Sequence, residues 1–305
     1  MDLTIIGQLA AILTSALWTL NSLLFTTAGK KIGAISVNAY RIIAAVIFLI
    51  LTHIILFGNI LPIATFDQWL WIGLSGIIGL GIGDFGLFAA FVIIGPRRSV
   101  LIMSLSPIFA GIFAYLILNE TLTELAIIGM IITIIGVIIV IIEKEEKSDE
   151  ETLSKKQKLW GISLAFIGAI GQGTGAVLAK KGIYFDTNII VNPLSATLIR
   201  MIIAAVFIWI CVLLAGKIPE LKKAIKDKKG INSTIAGAFI GPFIGVTFSM
   251  IAVTFTEVGV AQTLMSLMPI MIIPIIWILY KQKTSIRGIM GAFIAIIGVA
   301  ILFLI

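Results

Sequence analysis

The sequence predicts an all-α integral membrane protein with ten transmembrane helices, arranged as two inverted repeats of five helices. Its composition indicates that the chain lies in lipid and not in water, because 60% of the 305 residues are hydrophobic, 12% are charged and the mean hydropathy is +1.17. A water-soluble domain of this length would need far more charged surface. Apolar windows long enough to cross a bilayer recur along the chain, and the second half repeats the pattern of the first.

The apolar windows predict where each helix crosses the bilayer, since a helix needs about 20 apolar residues to cross roughly 30 Å of hydrocarbon. The first window follows Asp2 and no Lys or Arg, so it is expected to stay in the membrane and not to be a cleaved signal peptide. A turn at IGPRRS, residues 94–99, is predicted between the third and fourth windows. The predicted spans are 5–26, 34–57, 69–92, 99–118, 124–142, 160–179, 190–215, 232–255, 260–280 and 286–305.

Identical residues at corresponding positions of the two halves predict an internal repeat. A shift of 162 residues carries Pro107 to Pro269, and a shift of 159 carries Arg41 to Arg200. Because five is odd, the second copy is expected to enter the bilayer from the opposite face, as in many secondary transporters. Alternatively, the duplication only builds a stable bundle. The predicted units are a first repeat at 1–142, a charged linker at 143–159 and a second repeat at 160–305, and further matches are Gly79 to Gly241, Gly83 to Gly245, Ser104 to Ser266, Gly129 to Gly291 and Gly136 to Gly298.

Two stretches carry a family resemblance. They are SLSPIFAGIFAYLILNETLT, followed by IIGVIIVI, and TLMSLMPIMIIPIIWILYKQKTS, followed by IIGVAILFLI. This pattern resembles the EamA-type transporters of the drug/metabolite transporter superfamily, and the resemblance covers both halves. It implies a carrier of small molecules such as amino acids, sugars, nucleotide-linked compounds or drugs. One position departs from the pattern, because Glu120 of the first half is matched by Gln282 in the second.

The distribution of basic residues predicts the orientation. All but four of the 22 Lys and Arg residues lie in loops that follow odd-numbered predicted spans. Arg41 and Arg200 lie within spans, and only Lys180 and Lys181 lie at the opposite face. The positive-inside rule therefore predicts a multi-pass protein of the cell membrane with cytoplasmic odd-numbered loops and both termini outside. The resemblance implies both termini inside, but the charge bias is given more weight, because translocating the basic cluster at 217–229 would be costly.

Asp84 is the clearest candidate for chemistry inside the membrane, because a charge at the bilayer centre costs at least about 2.5 kcal/mol. It could titrate a proton or bind a substrate amine, or it could be the structural partner of a basic or amide side chain. The same stretch contains a literal GxGxxG at Gly81, Gly83 and Gly86. No strand precedes these glycines, so they predict close helix approach and not a dinucleotide site.

Arg41 and Arg200 could each bind an anionic group of a substrate, but snorkelling to an interface or structural pairing is the alternative. Trp18 and Asn21 share one face of the first span, and Gln172 lies at the corresponding place in the sixth. An amide surrounded by lipid needs a hydrogen-bond partner, which a polar substrate or a neighbouring helix could supply.

Other polar and proline residues add weaker signals. Ser104, Ser266 and Gln262 are candidate binding residues around Pro107 and Pro269, for which helix kinks are predicted. His53 is expected to be an interfacial residue and not a proton relay. Cys211 is the only cysteine, which excludes a disulfide within the chain and a cysteine-based metal site.

These features together predict a secondary active transporter, an exporter or exchanger of a small metabolite, amino acid or drug, working by alternating access at a midplane cavity. A proton or a counter-substrate is the expected energy source, because the sequence has no Walker motif. The alternatives are a flippase of lipids or lipid-linked substrates with the same fold, a membrane-embedded enzyme, and a passive accessory protein. Its expected partners are a small-molecule substrate and the lipid bilayer; no nucleic acid, cofactor or metal is expected, and oligomeric state is not predicted.

Overall fold

The computed structural model describes residues 2–142, 154–186, 190–271 and 286–304. Within these ranges all regular secondary structure is helical. Large apolar side chains cover the outer surface, including Ile55, which is 81% exposed, and Leu214, which is 84% exposed. Such a surface suits lipid and not water. Six helical stretches of this part of the chain are long and apolar enough to cross a membrane: Leu3–Ile32, Ala34–Phe57, Phe66–Ala90, Lys155–Ile183, Pro193–Leu214 and Lys228–Phe255.

The helices of the first half follow each other closely. Gly33 joins the first two with a positive φ of 77°, a conformation that glycine adopts without strain. A π-helical segment continues directly from α3 into α4, so that no loop interrupts them. The elements are α1 (Leu3–Ile32), α2 (Ala34–Phe57), α3 (Phe66–Ser75), π1 (Gly76–Gly83), α4 (Asp84–Met103), α5 (Ser106–Leu118) and α6 (Glu124–Ile142).

The second half begins with a capping box, in which the Ser154 side chain and Gln157 satisfy the backbone at the start of the helix. A short helix within the basic loop at 217–229 was not predicted by hydropathy. The elements are α7 (Lys155–Ile183), α8 (Pro193–Leu214), α9 (Ile218–Ala224), α10 (Lys228–Ala238), π2 (Phe239–Gly245), α11 (Val246–Phe255), α12 (Val258–Met265) and α13 (Ile286–Leu302).

The observed helices agree with the predicted spans most closely at α2 and α6, whose bounds are those predicted. The ninth predicted span, 260–280, can be followed only to residue 271, and Gln282 lies outside the described residues. Residues 143–153 of the predicted linker are also outside them. Its last residues belong to α7, because the helix starts at Lys155.

The predicted turn at 94–99 is wrong, because α4 runs through it to Met103. A proline inside a helix costs about 3 kcal/mol through its missing N–H and its clash with the preceding turn. This stretch of α4 packs against α7. Ile94 is buried in a cluster with Leu164 of α7, and Gly161 of α7 lets that helix lie directly against the Ile94 side chain.

The predicted kinks at Pro107 and Pro269 are also wrong, because both prolines lie at helix starts. Pro107 occupies the first turn of α5, after a break at residues 104–105. Residues 266–267 form the same break after α12, and Pro269 lies in the helical stretch 268–271 that follows. The first turn of a helix has free N–H groups in any case, so proline costs little there.

Corresponding helices of the two halves pack against each other in antiparallel pairs. A side chain added at Gly129 of α6 would meet Gly298 of α13, and one added at Gly136 would meet Gly291. Residue numbers therefore rise along one helix as they fall along the other. Helices α2 and α8 also pack antiparallel. The Trp209 indole near the end of α8 donates to the Ala39 carbonyl near the start of α2 at 3.3 Å, and His53 near the end of α2 lies beside Ser195 at the start of α8.

The third helix of each half packs against the first helix of the other half. Gly83 of π1 lies against Gly171 of α7, where an added Cβ on Gly171 would be only 2.8 Å from the Gly83 Cα. Gly245 of π2 lies in the same way against Trp18 of α1. These crossings bring side chains from both halves to the middle of the molecule.

Candidate functional site

A narrow pocket with a cavity volume of about 10 Å³ lies where α1, π1, α7, α8, α11 and α12 meet. Both halves of the chain contribute to its wall. Four residues singled out from the sequence come together there, namely Trp18, Gln172, Arg200 and Gln262. The other lining residues are Leu80, Ala176, Val246, Ser249, Met250, Val253 and Met265.

Arg200 is the charged residue of the pocket wall. It is only 3% exposed, so it does not snorkel to an interface. Its Nη1 lies 3.7 Å from the Met250 sulfur, and its Nε has no hydrogen-bond partner in the described part of the chain. Gly79 and Gly175 make room for it, since an added Cβ would lie 2.6 Å and 3.1 Å from Nη2.

Arg41 and Asp84 form a buried ion pair beside the pocket. Arg41 Nη2 lies 2.5 Å from Asp84 Oδ2, and both side chains are less than 10% exposed. Gln172 donates to Asp84 Oδ1 at 2.7 Å, while Arg41 Nε donates to the Asn38 side chain at 2.8 Å. This geometry fits the structural alternative, in which Asp84 partners a basic and an amide side chain. Sequence reasoning missed Asn38, although its position one helical turn before Arg41 was an available signal.

Gln262 connects α12 to neighbouring helices. Its Nε2 donates to the Gln172 backbone carbonyl at 3.4 Å, and its Oε1 accepts from the Ser106 hydroxyl at 3.4 Å. Ser106 was not predicted, whereas Ser104 and Ser266 lie in the two helix breaks and not on the pocket wall. The Ser266 hydroxyl donates to the Thr263 carbonyl at 2.7 Å.

Asn21 lies outside the pocket wall, one turn from Trp18. Its side chain packs against Gly237 and Gly241, and its Oδ1 has no hydrogen-bond partner among the described residues. The Ser15 hydroxyl on the same face is also buried without a partner among them. The predicted polar stripe of α1 therefore exists, but only Trp18 reaches the pocket.

A second ion pair, partly buried, joins the two halves at the end of α7. Lys180 Nζ lies 2.5 Å from Glu120 Oε1 and donates to the Thr256 carbonyl at 2.7 Å. Glu120 Oε2 accepts from the Val258 backbone N–H at 3.0 Å. The resemblance had drawn attention to Glu120, but nothing in the sequence paired it with Lys180.

His53 is a buried structural residue at the end of α2. Its Nδ1 lies 2.6 Å from the Asn59 carbonyl oxygen, and its Nε2 lies 3.1 Å from the Ser195 hydroxyl. It is only 2% exposed, so it is buried against other parts of the protein. Its role is to fix the loop after α2 against the start of α8.

The family assignment follows from a match that covers each half separately. A model described as the EamA-like transporter family matches residues 5–142 and again residues 159–304. The chain belongs to the EamA-like transporter family. A curated relative, the uncharacterized transporter YyaM of Bacillus subtilis (strain 168), is 28% identical over 145 residues, which are 46% of this chain and 44% of that protein. The chain therefore aligns with less than half the length of that relative.

A solved crystal structure among those that match shares the fold of this EamA-like chain. The superposition covers 98% of this chain and 96% of the other, with a TM-score of 0.75 and 14% sequence identity. At 14% sequence identity, the similarity shows a shared fold and nothing about function. The family match confirms the resemblance that both halves of the sequence carry, and the family is one of membrane transporters.

Proposed function

We propose that this protein is a secondary active transporter, an exporter or exchanger of a small metabolite, amino acid or drug in the cell membrane. It works by alternating access at the pocket between two inverted five-helix repeats. One observation carries the proposal: the pocket wall is built from both halves, with Trp18 and Leu80 from the first and Gln172, Arg200 and Gln262 from the second. A site shared by two inverted halves can be offered to either side by rocking one half against the other.

Three features support the inverted repeat. The corresponding helices α6 and α13 run antiparallel, as do α2 and α8. The two π-helical segments, π1 and π2, occupy places related by the 162-residue shift. The family model matches once in each half.

Buried contacts hold the pocket on two sides. The Arg41 and Asp84 pair is tied to the second half by Gln172, which also lines the pocket. Lys180 lies eight residues after Gln172 in α7, which is about 12 Å along the helix axis. Its ion pair with Glu120 joins the second half to the first. In an alternating-access cycle these two networks break in turn, each opening the pocket to one face.

The energy source belongs to the same proposal. A proton or a counter-substrate gradient drives the cycle, as in other carriers built from inverted repeats. The Lys180 and Glu120 pair and the Arg41 and Asp84 pair are the charged contacts that must be broken. Substrate binding in the pocket supplies the differential free energy that selects one state over the other.

The test is accessibility of one pocket residue from both faces. Ser249 lines the pocket, so Ser249→Cys is made after Cys211→Ala removes the exposed native cysteine. A membrane-impermeant maleimide is added to right-side-out and to inside-out vesicles. We expect labelling from both sides, because alternating access exposes the same residue to each compartment by turns.

A matched variant controls for slow unfolding. Ala165→Cys places the thiol in a fully buried cluster away from the pocket, so it is expected to stay unlabelled from either side. Labelling of the Ser249→Cys variant from only one face, or from neither, would contradict alternating access. A static bundle made by duplication gives that result.

A further inference from the structure

We infer that the pocket selects a small organic monoanion and holds its carboxylate on Arg200. This inference rests on the proposed function, because it names the class of substrate that the transporter carries in that pocket. The charge of Arg200 is the starting point. A buried charge is stable only when it is paired and hydrogen-bonded.

Arg200 lacks such a partner within the described part of the chain. It is 3% exposed, its Nε has no hydrogen-bond partner there, and the contact of its Nη1 is the Met250 thioether, a weak acceptor. The carboxylate of Asp84 acts on it electrostatically. Both oxygens of that carboxylate, however, are already bonded to Arg41 and Gln172.

The first half contains the matching arginine with its counter-charge in place. The Arg41 guanidinium lies 5.0 Å from the Phe88 ring centroid and pairs with Asp84. A shift of 162 residues carries Phe88 to Met250, the side chain that Arg200 contacts.

The same shift carries Asp84 to Val246, which lines the pocket. The second half therefore repeats the arginine, with Met250 in the place of Phe88, but has an apolar residue where the first has a carboxylate. Arg200 and Val246 both line the pocket. A substrate carboxylate at that place would complete the pair.

The shape and polarity of the pocket define the class of anion further. A guanidinium presents parallel N–H groups that match the two oxygens of a carboxylate. Trp18, Met250 and Met265 supply apolar wall, and Gln172 and Gln262 supply amide groups. With one cationic and no acidic side chain on the described wall, a monoanion with an apolar body fits better than a cation or a dianion.

The test compares four compounds that share one branched carbon body: isovalerate, isovaleramide, 3-methylbutylamine and leucine. The measurement is the thermal unfolding midpoint of the purified full-length protein in detergent. We expect isovalerate to raise the midpoint, by roughly 5 °C at 100 times its Kd. The neutral amide and the amine should leave it unchanged, and leucine should raise it less because its ammonium group has no acidic partner on the wall.

Two variants place the effect on Arg200. Arg200→Gln removes the positive charge. Val246→Asp introduces a carboxylate beside Arg200, at the position that corresponds to Asp84 in the first half. Both are expected to abolish the isovalerate shift, and Val246→Asp should itself raise the midpoint without any ligand. Lys222→Gln is the matched control, since it removes one positive charge from an exposed side chain in α9 and should keep the shift. Should Arg200→Gln not fold, Arg200→Lys takes its place and is expected to weaken the shift.

The outcomes separate this inference from the proposed function. It is overturned by an isovaleramide shift as large as that of isovalerate, by a larger shift with leucine, by no shift with isovalerate, or by a shift that survives in Val246→Asp. Uptake of radiolabelled isovalerate into proteoliposomes tests the transporter itself. Stabilisation without uptake supports the site and contradicts carriage of monoanions by it, whereas uptake of another solute without any isovalerate shift supports the transporter and overturns the inference.

Discussion

Buried and partly buried charged side chains in the described part of this protein have three kinds of environment. Asp84 is held by Arg41 and Gln172, so both of its oxygens are bonded. Lys180 is held by Glu120 and a backbone carbonyl. Arg200 lies against a thioether and faces the pocket. The first two kinds hold helices together, and the third is the one for which we propose a substrate anion as partner.

Substitutions of Arg41 and Asp84 should have non-additive effects on stability, because either one alone leaves the partner side chain buried without its ion pair. Asp84→Asn keeps an oxygen that can accept from Gln172, but it leaves the Arg41 charge buried. We expect Asp84→Asn and Arg41→Gln each to cost about 3 kcal/mol of unfolding free energy, and the double variant to cost less than their sum. Thermal or denaturant unfolding of the purified variants measures this coupling.

Glu220→Gln is the control, because it breaks an exposed ion pair with Lys217 and should cost less than about 1 kcal/mol. Additive effects of the two buried substitutions would count against structural pairing. A stable Asp84→Asn protein whose transport has lost its pH dependence would assign the carboxylate to proton coupling instead.

At the scale of elements, glycines decide how closely the helices approach. The GxGxxG of the third helix is part of a longer row of glycines, in which Gly79, Gly83 and Gly86 face the glycines of α7. The glycine-containing segments π1 and π2 are π-helical, and π-helical segments often occur at functional sites. In π2, Pro242 has no N–H to complete the regular ladder.

A methyl group added at Gly171, where α7 contacts Gly83 of π1, should push these two helical segments apart. An added Cβ at Gly171 would lie 2.8 Å from both the Gly83 Cα and the Ile78 carbonyl oxygen, and a backbone cannot yield there as a side chain can. We expect Gly171→Ala to lower the unfolding free energy by about 1 to 3 kcal/mol. The thermal unfolding midpoint in detergent is the measurement.

Gly29→Ala is the matched control for this change. Gly29 also lies within a long helix, but nothing lies within 4 Å of an added Cβ. Alanine should raise stability there by up to about 1 kcal/mol through its higher helix propensity. Equal effects at Gly29 and Gly171 would show that helix propensity, and not close approach, governs both sites.

For the whole molecule, the central question is how the two halves lie relative to the membrane. The basic cluster in and around α9 follows α8, the second long helix of its half. The loop that follows α2, the second long helix of the first half, carries no basic residue. If the halves are inverted, these two corresponding loops lie on opposite faces, and the positive-inside rule puts the basic one in the cytoplasm.

Single cysteines in the two loops test this arrangement. Ile63 is 73% exposed and follows α2, and Lys222 is exposed in α9, so each is replaced by cysteine in the Cys211→Ala background. An impermeant maleimide added to intact cells should label Ile63→Cys and leave Lys222→Cys unlabelled until the cells are opened. Labelling of both from one side would rule out the inversion, whereas the reverse pattern would change only the orientation.

The sequence by itself determined the solvent, the helical class and most helix positions. Hydropathy is a sum over neighbouring residues, so it was enough to predict the bounds of α2 and α6. The repeated letters also pointed to two matched halves, and Trp18, Gln172, Arg200 and Gln262 were recognised as candidates before the fold placed them in one pocket.

Only the tertiary structure decided which charges meet and which helices continue. Arg41 reaches Asp84 across 43 residues of sequence, and a local pattern holds no information on such a contact. In the same way α4 continues through the predicted turn because Ile94 packs against α7. Asn21 and Ser266 lie off the pocket because helix rotation and a helix break turn them elsewhere. Hydropathy is a local property, whereas pairing and packing depend on residues that the chain brings together from far apart.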